Sequence, residues 1–583
     1  MRSRTANSAL ASNGLQTRLP TGVGMKLNRR LVLGGGAVAL AASGTAEAAT
    51  RSTGGGRAHR TALSTLARYA EQHVRDWGLP GMTICVVDRD GYAGFVTTGY
   101  ANIERRTPVG PDHLFQIGSI SKVFTALTFH SLHQEGKLSP TARVRDVLPD
   151  IAISNANNVT LQHLLNHTSG LPGNAPVVLD GGLWSGFTPG EHWHYSNTGY
   201  ELLSRAIAQA DGKQFHESVE ARVLRPLGMT HSHGSIQSGD RALYAQGYET
   251  LYADRPSFRP GPRGPAPWVN VETGAGSVAA TSGDMALFLR YLLELAQGRG
   301  GPVLSDAGAV SFLADPAAAP GWAETARYGN GLARVTIAER QYLHHTGGMV
   351  SFSSSMHVDP EAGVACYASS NVGVSLNYRP RDVSLYACRL FQMARGGGEA
   401  PAPAPTQSSV NDPSRFVGIY TAASGEAFEI RADGANQIGM RKDGRDSRMQ
   451  SLGGPFFVTE EPRFATTGVL FEAEGPDVAR AWSDDVEFVR GPVRVYQQAA
   501  PAELQRLAGI YDSDDRWSGP IWVIARSGGL WLNNIEQLAP LADGSWRPGT
   551  DEWSPERVRF DGLVDGRPTR LLLSGSPFVR RFS

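Results

Sequence analysis

Phe115-Gln116-Ile117-Gly118-Ser119-Ile120-Ser121-Lys122-Val123-Phe124-Thr125-Ala126-Leu127 is the stretch on which the reading of this chain turns. Ser119 and Lys122 are three apart at the start of an apolar-periodic run. Residues i and i+3 share one helical face, so the lysine can reach the serine hydroxyl. A serine hydroxyl is a poor nucleophile without an adjacent base. A lysine desolvated by apolar neighbours loses its proton more easily and can serve as that base. Taken alone, S-x-x-K is also what an ordinary helix start with a solvated lysine looks like.

Order and company decide between the two. Downstream come Tyr195-Ser196-Asn197 and then His345-Thr346-Gly347. In that order the three motifs resemble those of the penicillin-recognising serine hydrolases: serine β-lactamases, DD-peptidases, D-aminopeptidases and related esterases. His167-Thr168-Ser169-Gly170-Leu171-Pro172 and Pro226-Leu227-Gly228-Met229-Thr230, the latter expected to close a helix, are similar to further signatures of that family. The resemblance covers about residues 60–394. It implies Ser119 as nucleophile and Lys122 and Tyr195 as its acid–base partners. Asn197, His345, Thr346 and Gly347 would bind substrate. The backbone N–H groups of Ser119 and Gly348 would form the oxyanion hole. A phenol is a useful base only when its pKa falls well below about 10, and an ammonium at Lys122 is expected to supply that shift, or to share one proton with it. His345 departs from the lysine most β-lactamases carry there. A histidine supplies positive charge only when protonated, which disfavours a β-lactamase.

The remaining chain sets the frame. It has 583 residues, 41% of them hydrophobic and 19% charged, with 55 basic and 55 acidic side chains. Two to four domains are expected, and no basic stripe marks a nucleic-acid partner. Residues 1–48 read as an export signal: Arg29-Arg30, a short apolar run through Leu40, then Ala46-Glu47-Ala48 as a cleavage site. The paired arginines fit the twin-arginine route, and Met25 is an alternative start. Its removal leaves 49 basic and 54 acidic residues, a net charge of −5, and a periplasmic or secreted protein with no membrane partner. Cys85, Cys366 and Cys388 read as buried thiols, with no disulfide pairing legible. His163 and His167 lack the glutamate of H-E-x-x-H and read as structural. No metal or organic cofactor is expected.

Helical periodicity over 61–78 precedes strand-like runs at 82–88 and 93–100. A mostly helical stretch runs to about 230, with another helix over 281–297. Three strand-like segments lie between Arg334 and Asn371, with the third motif between two of them, and a last helix spans 382–394. The expected class is α+β: an antiparallel sheet flanked by helices with a helical insert, over 58–394. Residues 395–411 form a Gly/Pro/Ala linker. Beyond it Phe416-Val417-Gly418-Ile419-Tyr420 is echoed by Leu507-Ala508-Gly509-Ile510-Tyr511, 91 positions on. Two small antiparallel β-barrel-like domains, 412–498 and 502–583, follow, an arrangement that resembles the D-aminopeptidases.

The expected activity is therefore a peptidase forming a Ser119 acyl-enzyme and cleaving an amide bond at a D-amino acid. Its substrates would be short wall-derived or non-ribosomal peptides, linearised microcystin among those the family resemblance implies. The alternatives are a carboxylesterase on small esters, a β-lactamase, and a non-catalytic binder of peptidoglycan fragments, against which the intact Ser-Lys-Tyr set argues. Oligomeric state is not legible.

Overall fold

The computed structural model describes residues 47–581, apart from 180–181, 253, 257, 260, 374–377, 399–400, 405–409, 475–476 and 493. The expected export signal thus falls almost wholly outside the described residues. The N-terminal unit, expected to be catalytic, is built on one antiparallel sheet. Its strands run, in spatial order, Ala49–Thr53, Ala93–Asn102, Gly81–Asp88, Val364–Ser370, Ser353–Asp359, Arg340–Gly348, Leu332–Ile337, Arg327–Gly329 and Ala317–Ala318. Thr107–Pro108 pairs at the side with Ala93–Asn102.

The centre of this sheet joins the two ends of the domain: Gly81–Asp88 pairs with Val364–Ser370, Val86 opposite Cys366. Both strands are buried over their whole length. Cys85 and Val87 face the core that holds the Ser121–Gln134, Asn197–Asp211 and Ser282–Leu295 helices. Ile84 and Val86 face the opposite core, under helices Arg57–Trp77 and Arg381–Gly396. Side chains alternate across a strand, so a strand covered on both faces reads as an unbroken apolar run, which is why Ile84-Cys85-Val86-Val87 shows no polar face. All three cysteines are buried and unbridged.

Two expectations differ from the fold. Among the described residues of 135–196 there are only two short helices, Val144–Val147 and Leu161–Leu165, and the other described residues are loop. Pro140, Pro149, Pro172, Pro176 and Pro189 each remove a backbone donor and restrict the residue before them. The third motif lies at the C-terminal end of a strand, not between two, and that region carries four strands from Leu332 to Ser370. The backbone of His345–Gly348 continues the ladder against Met356–Ser353. The last helix also reaches Gly396, past the expected start of the linker.

After the linker stand two closed eight-stranded antiparallel barrels, Gly418–Arg490 and Gly509–Arg580 between first and last strands. Closure leaves neither with an open edge. The sequence echo is a structural one: Tyr420 Oη donates to Phe416 O at 2.8 Å and Tyr511 Oη donates to Leu507 O at 2.7 Å. In each barrel that tyrosine pairs across the closure seam, with Arg490 and Arg580 respectively.

Buried histidines recur through the catalytic unit. His73 Nε2 lies 2.9 Å from Tyr378 Oη, His130 Nε2 lies 3.1 Å from Asn330 Oδ1, and His344 Nδ1 lies 2.7 Å from Met356 O. Burial pushes the three imidazoles down to about 3, about 4 and about 3 from an ordinary 6.5. The unfolded chain takes up protons at these positions as pH falls through 6.5, while the folded chain does so only near 3 to 4. Their contribution to stability is complete above the unfolded value and lost on acidification. The melting temperature is expected to fall between pH 6.5 and pH 5, above the range where carboxylates titrate. A flat profile there, by differential scanning calorimetry, would contradict this.

Candidate active site

Ser119 sits in a short 3-10 turn, Gly118–Ile120, that runs directly into the Ser121–Gln134 helix. The positive end of that helix faces any charge developing on its hydroxyl. The turn is fixed from two sides. Ser121 Oγ accepts from Val278 N–H at 3.0 Å and Thr125 Oγ1 donates to Gly274 O at 2.7 Å, binding the Gly274–Val278 segment to the Ser121–Gln134 helix. Ser354 Oγ donates to Ile117 O at 2.7 Å, binding the strand that carries the third motif's partner.

Lys122 is fully buried. Its Nζ has three partners: Asn197 Oδ1 at 2.7 Å, Ala275 O at 2.8 Å and Ser119 Oγ at 3.1 Å. No carboxylate is among them, and burial pushes its pKa well below the ordinary 10.5. The geometry agrees with a neutral amine. Two of its partners are carbonyl oxygens, which can only accept and so take both N–H groups. The third is a hydroxyl, which can donate to the remaining lone pair.

Asn197 opens the Asn197–Asp211 helix, whose cap Ser196 Oγ accepts from Gly199 N–H at 3.0 Å. Its amide is oriented by Asn174: Asn197 Nδ2 donates to Asn174 Oδ1 at 2.8 Å. Its backbone N–H donates to Gly173 O at 2.7 Å, which ties the helix start to the Gly170–Asn174 loop.

Tyr195 is hydrogen-bonded to Ser119, and its ring centroid lies 4.9 Å from Lys122 Nζ. Its phenol is not lowered as the sequence suggested. Burial pushes it up, with the Ser119 hydrogen bond and the Arg379 cation opposing. Lys122, itself pushed toward its neutral form by burial, is not among the groups that lower it. Arg379 is the cation on this side, with its own pKa lowered to about 10 by burial. His167 stands behind the tyrosine, fully buried, with ring centroids 4.3 Å apart. Its Nδ1 accepts from Ser196 N–H at 3.1 Å. His163 serves as a cap, accepting from Thr160 N–H at 3.2 Å. The two histidines do separate structural jobs.

His345 is fully buried. Nε2 lies 2.9 Å from Tyr328 Oη and Nδ1 lies 2.6 Å from Thr346 O. A carbonyl only accepts, so Nδ1 carries the proton and Nε2 accepts from the tyrosine. Burial pushes its pKa well below 6.5. The side chain is thus a neutral wall packed on Trp322 at 4.9 Å, not a source of charge. Thr346 and Gly347 continue the strand into the cleft. Gly118 has φ +56°, and a Cβ there would stand 2.6 Å from Gly348 N. A Cβ at Gly347 would collide with Ile117 O. This backbone-on-backbone approach brings Gly348 N–H against Gly118, the residue before Ser119.

The structure thus brings Ser119, Lys122, Tyr195, Asn197, His345, Thr346, Gly347 and Gly348 into one cleft. Sequence reasoning missed Ala275 O, Asn174, Tyr328 and Arg379. Asn174 adjoins a quoted signature; the others carry no local signal.

Known proteins are similar to this chain in sequence. The family model described as Beta-lactamase matches residues 66–389, more than half of the chain. The chain belongs to this family of serine hydrolases. Among relatives, it is 35% identical over 172 residues to Penicillin-binding protein 4* of Bacillus subtilis (strain 168), covering 26% of this chain and 38% of that one. It is 27% identical over 350 residues to Unguisins hydrolase ungD' of Aspergillus campestris (strain IBT 28561), covering 54% and 62%. The match to Penicillin-binding protein 4 of Amycolatopsis lactamdurans is 26% over 339 residues, covering 53% and 84%. The chain spans between about 38% and 62% of the length of the first four curated relatives it matches. A solved structure, the octameric penicillin-binding protein homologue from Pyrococcus abyssi, is 22% identical with TM-score 0.49, covering 73% of this chain and 100% of its own.

Gly118→Ala is expected to lower hydrolysis of p-nitrophenyl butyrate by about a hundredfold or more, the scale of a lost oxyanion donor, with unchanged far-ultraviolet circular dichroism. Activity within threefold of the parent would show that the close approach to Gly348 is not needed.

Proposed function

We propose that the protein hydrolyses an amide bond at a D-amino acid in short peptides, through an acyl-enzyme on Ser119. The observation that carries the mechanism is the set of partners around Lys122: two carbonyl acceptors and the Ser119 hydroxyl. In this reading the neutral amine takes the serine proton as Oγ attacks the substrate carbonyl. The oxyanion forms between the N–H groups of Ser119 and Gly348. Tyr195, kept protonated by burial and hydrogen-bonded to Ser119, hands a proton to the departing amine. The proton on Lys122 then replaces the one Tyr195 gave up. Water repeats the attack on the acyl-enzyme, with Lys122 again as base, and Ser119 is released protonated.

The substrate class is supported by the third motif and by the company of relatives. His345 is neutral, so no fixed charge from that position waits for a β-lactam carboxylate. Relatives are named as penicillin-binding proteins, as β-lactamases and as an unguisins hydrolase, and the two barrels follow the D-aminopeptidase pattern. A second reading, a carboxylesterase on small acyl esters, is favoured by the same uncharged wall. An ester also has the better leaving group and asks less of Tyr195. Wall-derived or non-ribosomal peptides, including linearised microcystin, are the proposed natural substrates.

Turnover of matched D-alanyl and L-alanyl p-nitroanilides, beside p-nitrophenyl butyrate, separates these readings. The D-anilide is expected to be preferred. Ester cleavage without amide turnover would favour the esterase. Ser119→Ala is expected to abolish turnover with its fold intact, and substantial residual hydrolysis would sink the mechanism.

The acylation rate has a defined pH sign. Because burial lowers the Lys122 pKa, the reactive neutral amine is lost as pH falls through that lowered value, and the rate falls with it. Lys122→Arg, charged at every accessible pH, is expected to be inactive throughout. An arginine variant with measurable acylation at high pH would argue against the amine as base.

A further inference from the structure

Outside the cleft, one carboxylate of the second barrel is inserted into the catalytic unit. Glu556 Oε1 accepts from Gly173 N–H at 2.7 Å and lies 2.9 Å from His194 Nε2. Its other oxygen accepts from Ser574 Oγ. Burial alone would raise this carboxyl, but His194, Ser574 and the Gly173 N–H hold it below the ordinary carboxylate range, so it is an anion. The loop that carries it is gripped on either side. Trp553 stacks on His192 at 4.8 Å with the planes 10° apart, and Trp184 Nε1 donates to Pro555 O at 2.8 Å. At Gly186 even a Cβ would stand 2.6 Å from Trp553 O.

The residues Glu556 organises are neighbours of the proposed acid–base groups. His194 immediately precedes Tyr195. Gly173 O accepts from Asn197 N–H, and Asn174 Oδ1 accepts from Asn197 Nδ2, whose own Oδ1 holds Lys122. One carboxylate therefore clamps both strands of chain, 173–174 and 194–197, whose separation sets the distance between Tyr195, Asn197 and Lys122. The unit joins these two stretches itself through Asn197 N–H to Gly173 O and Ser196 Oγ to Pro172 O, both 2.7 Å, and Glu556 adds a second clamp from outside it.

We infer that the second C-terminal barrel completes the active site, with Glu556 as a positioning residue that sets Tyr195 and Asn197 against Lys122 through Gly173 and His194. Glu556 touches no reacting atom. This rests on the proposed Ser119 nucleophile, and the test separates the two.

The full-length protein and its Glu556→Gln and Glu556→Ala variants are treated with a fluorophosphonate. Ser119 Oγ bonds to phosphorus, fluoride leaves and the hydroxyl proton passes to Lys122. The rate constant of inactivation at saturating reagent and the half-saturating concentration are measured separately, at a temperature well below melting. Glu556→Ala is expected to lower the rate constant at least tenfold, with half-saturation moved less than threefold. Glu556→Gln is isosteric and keeps an oxygen for Gly173 N–H, so it is expected to fold if the alanine variant does not, and to lie between the two. A merely structural clamp would lower the melting temperature and leave the rate constant alone. Parental rate constants in both variants that fold would overturn the inference while leaving the nucleophile intact. A parent protein in which Ser119 is not labelled would overturn the proposed function, and this inference with it.

Discussion

A primary amine buried without a carboxylate is the constraint that organises this molecule. Lys122 is fully desolvated, and its partners are two carbonyl oxygens and one hydroxyl. An ammonium in that position would be costly to bury, so the folded chain favours the uncharged form. Everything that seals the position contributes to that preference: the rings of Tyr195 and Tyr200 over Nζ at 4.9 and 5.3 Å, the Gly274–Val278 segment tied down by Thr125 and Ser121, and the helix core beneath. An amine held in this way cannot be made by one residue. It takes a two-faced sheet and a helical insert to keep water away from one nitrogen.

That requirement also explains the division of labour in the fold. The strand ladder places rigid backbone at His345–Gly348, and the 3-10 turn Gly118–Ile120 with the Ser121–Gln134 helix that continues it places Ser119 and Lys122 with the precision of regular elements. The third wall, which carries Tyr195 and Asn197, is made of loop rich in proline and glycine, with the helix starting only at Asn197. Loop cannot hold a phenol and an amide to a fraction of an ångström unaided. Contacts from Glu556, Trp553 and Pro555 reach that wall from the second barrel, and the barrels are themselves joined by Arg526, whose guanidinium lies between Trp482 at 4.9 Å and Trp531 at 4.2 Å. These contacts add to the hydrogen bonds that hold the wall from within, His194 N–H to His167 O and Asn197 N–H to Gly173 O.

The sequence is most legible where the physics is local. Ser119 and Lys122 are three residues apart, so helical geometry alone puts them together. Ile84-Cys85-Val86-Val87 displays its double burial, and the 91-residue echo of Tyr420 in Tyr511 displays two like units. Tyr195, Asn197 and His345 are legible only through the order of three motifs. What stays hidden has no side-chain signature or lies far along the chain. Ala275 contributes a carbonyl that any residue would carry. Glu556 lies 383 residues from Gly173. Apolar spacing suggests helix over much of 135–196, but five prolines override it. The Tyr195 shift runs opposite to expectation for a related reason: a lysine in sequence suggests a charge, but its protonation state belongs to the environment.

The titratable groups of the cleft share one tendency. Lys122, His345 and His167 are pushed toward their neutral forms, and so is Tyr195, burial being the first cause for each. Apart from Arg379, which acts on Tyr195, and Arg381, which acts on His345, the resting cleft therefore holds little fixed charge. In the proposed mechanism this changes only when the reaction does. Transfer of the serine proton creates an ammonium at Lys122 in the same event that creates an oxyanion beside Gly348. Opposite charges formed together in a water-poor site attract more strongly than they would in bulk water, so the stabilisation is concentrated in the transition state, where it accelerates the step. A lysine in place of His345 would put a permanent cation in the cleft before substrate arrived, and repulsion would favour the neutral amine still further. The histidine leaves that tuning to burial alone, and so makes the quality of the seal around Lys122, rather than a charged neighbour, the quantity on which the site depends.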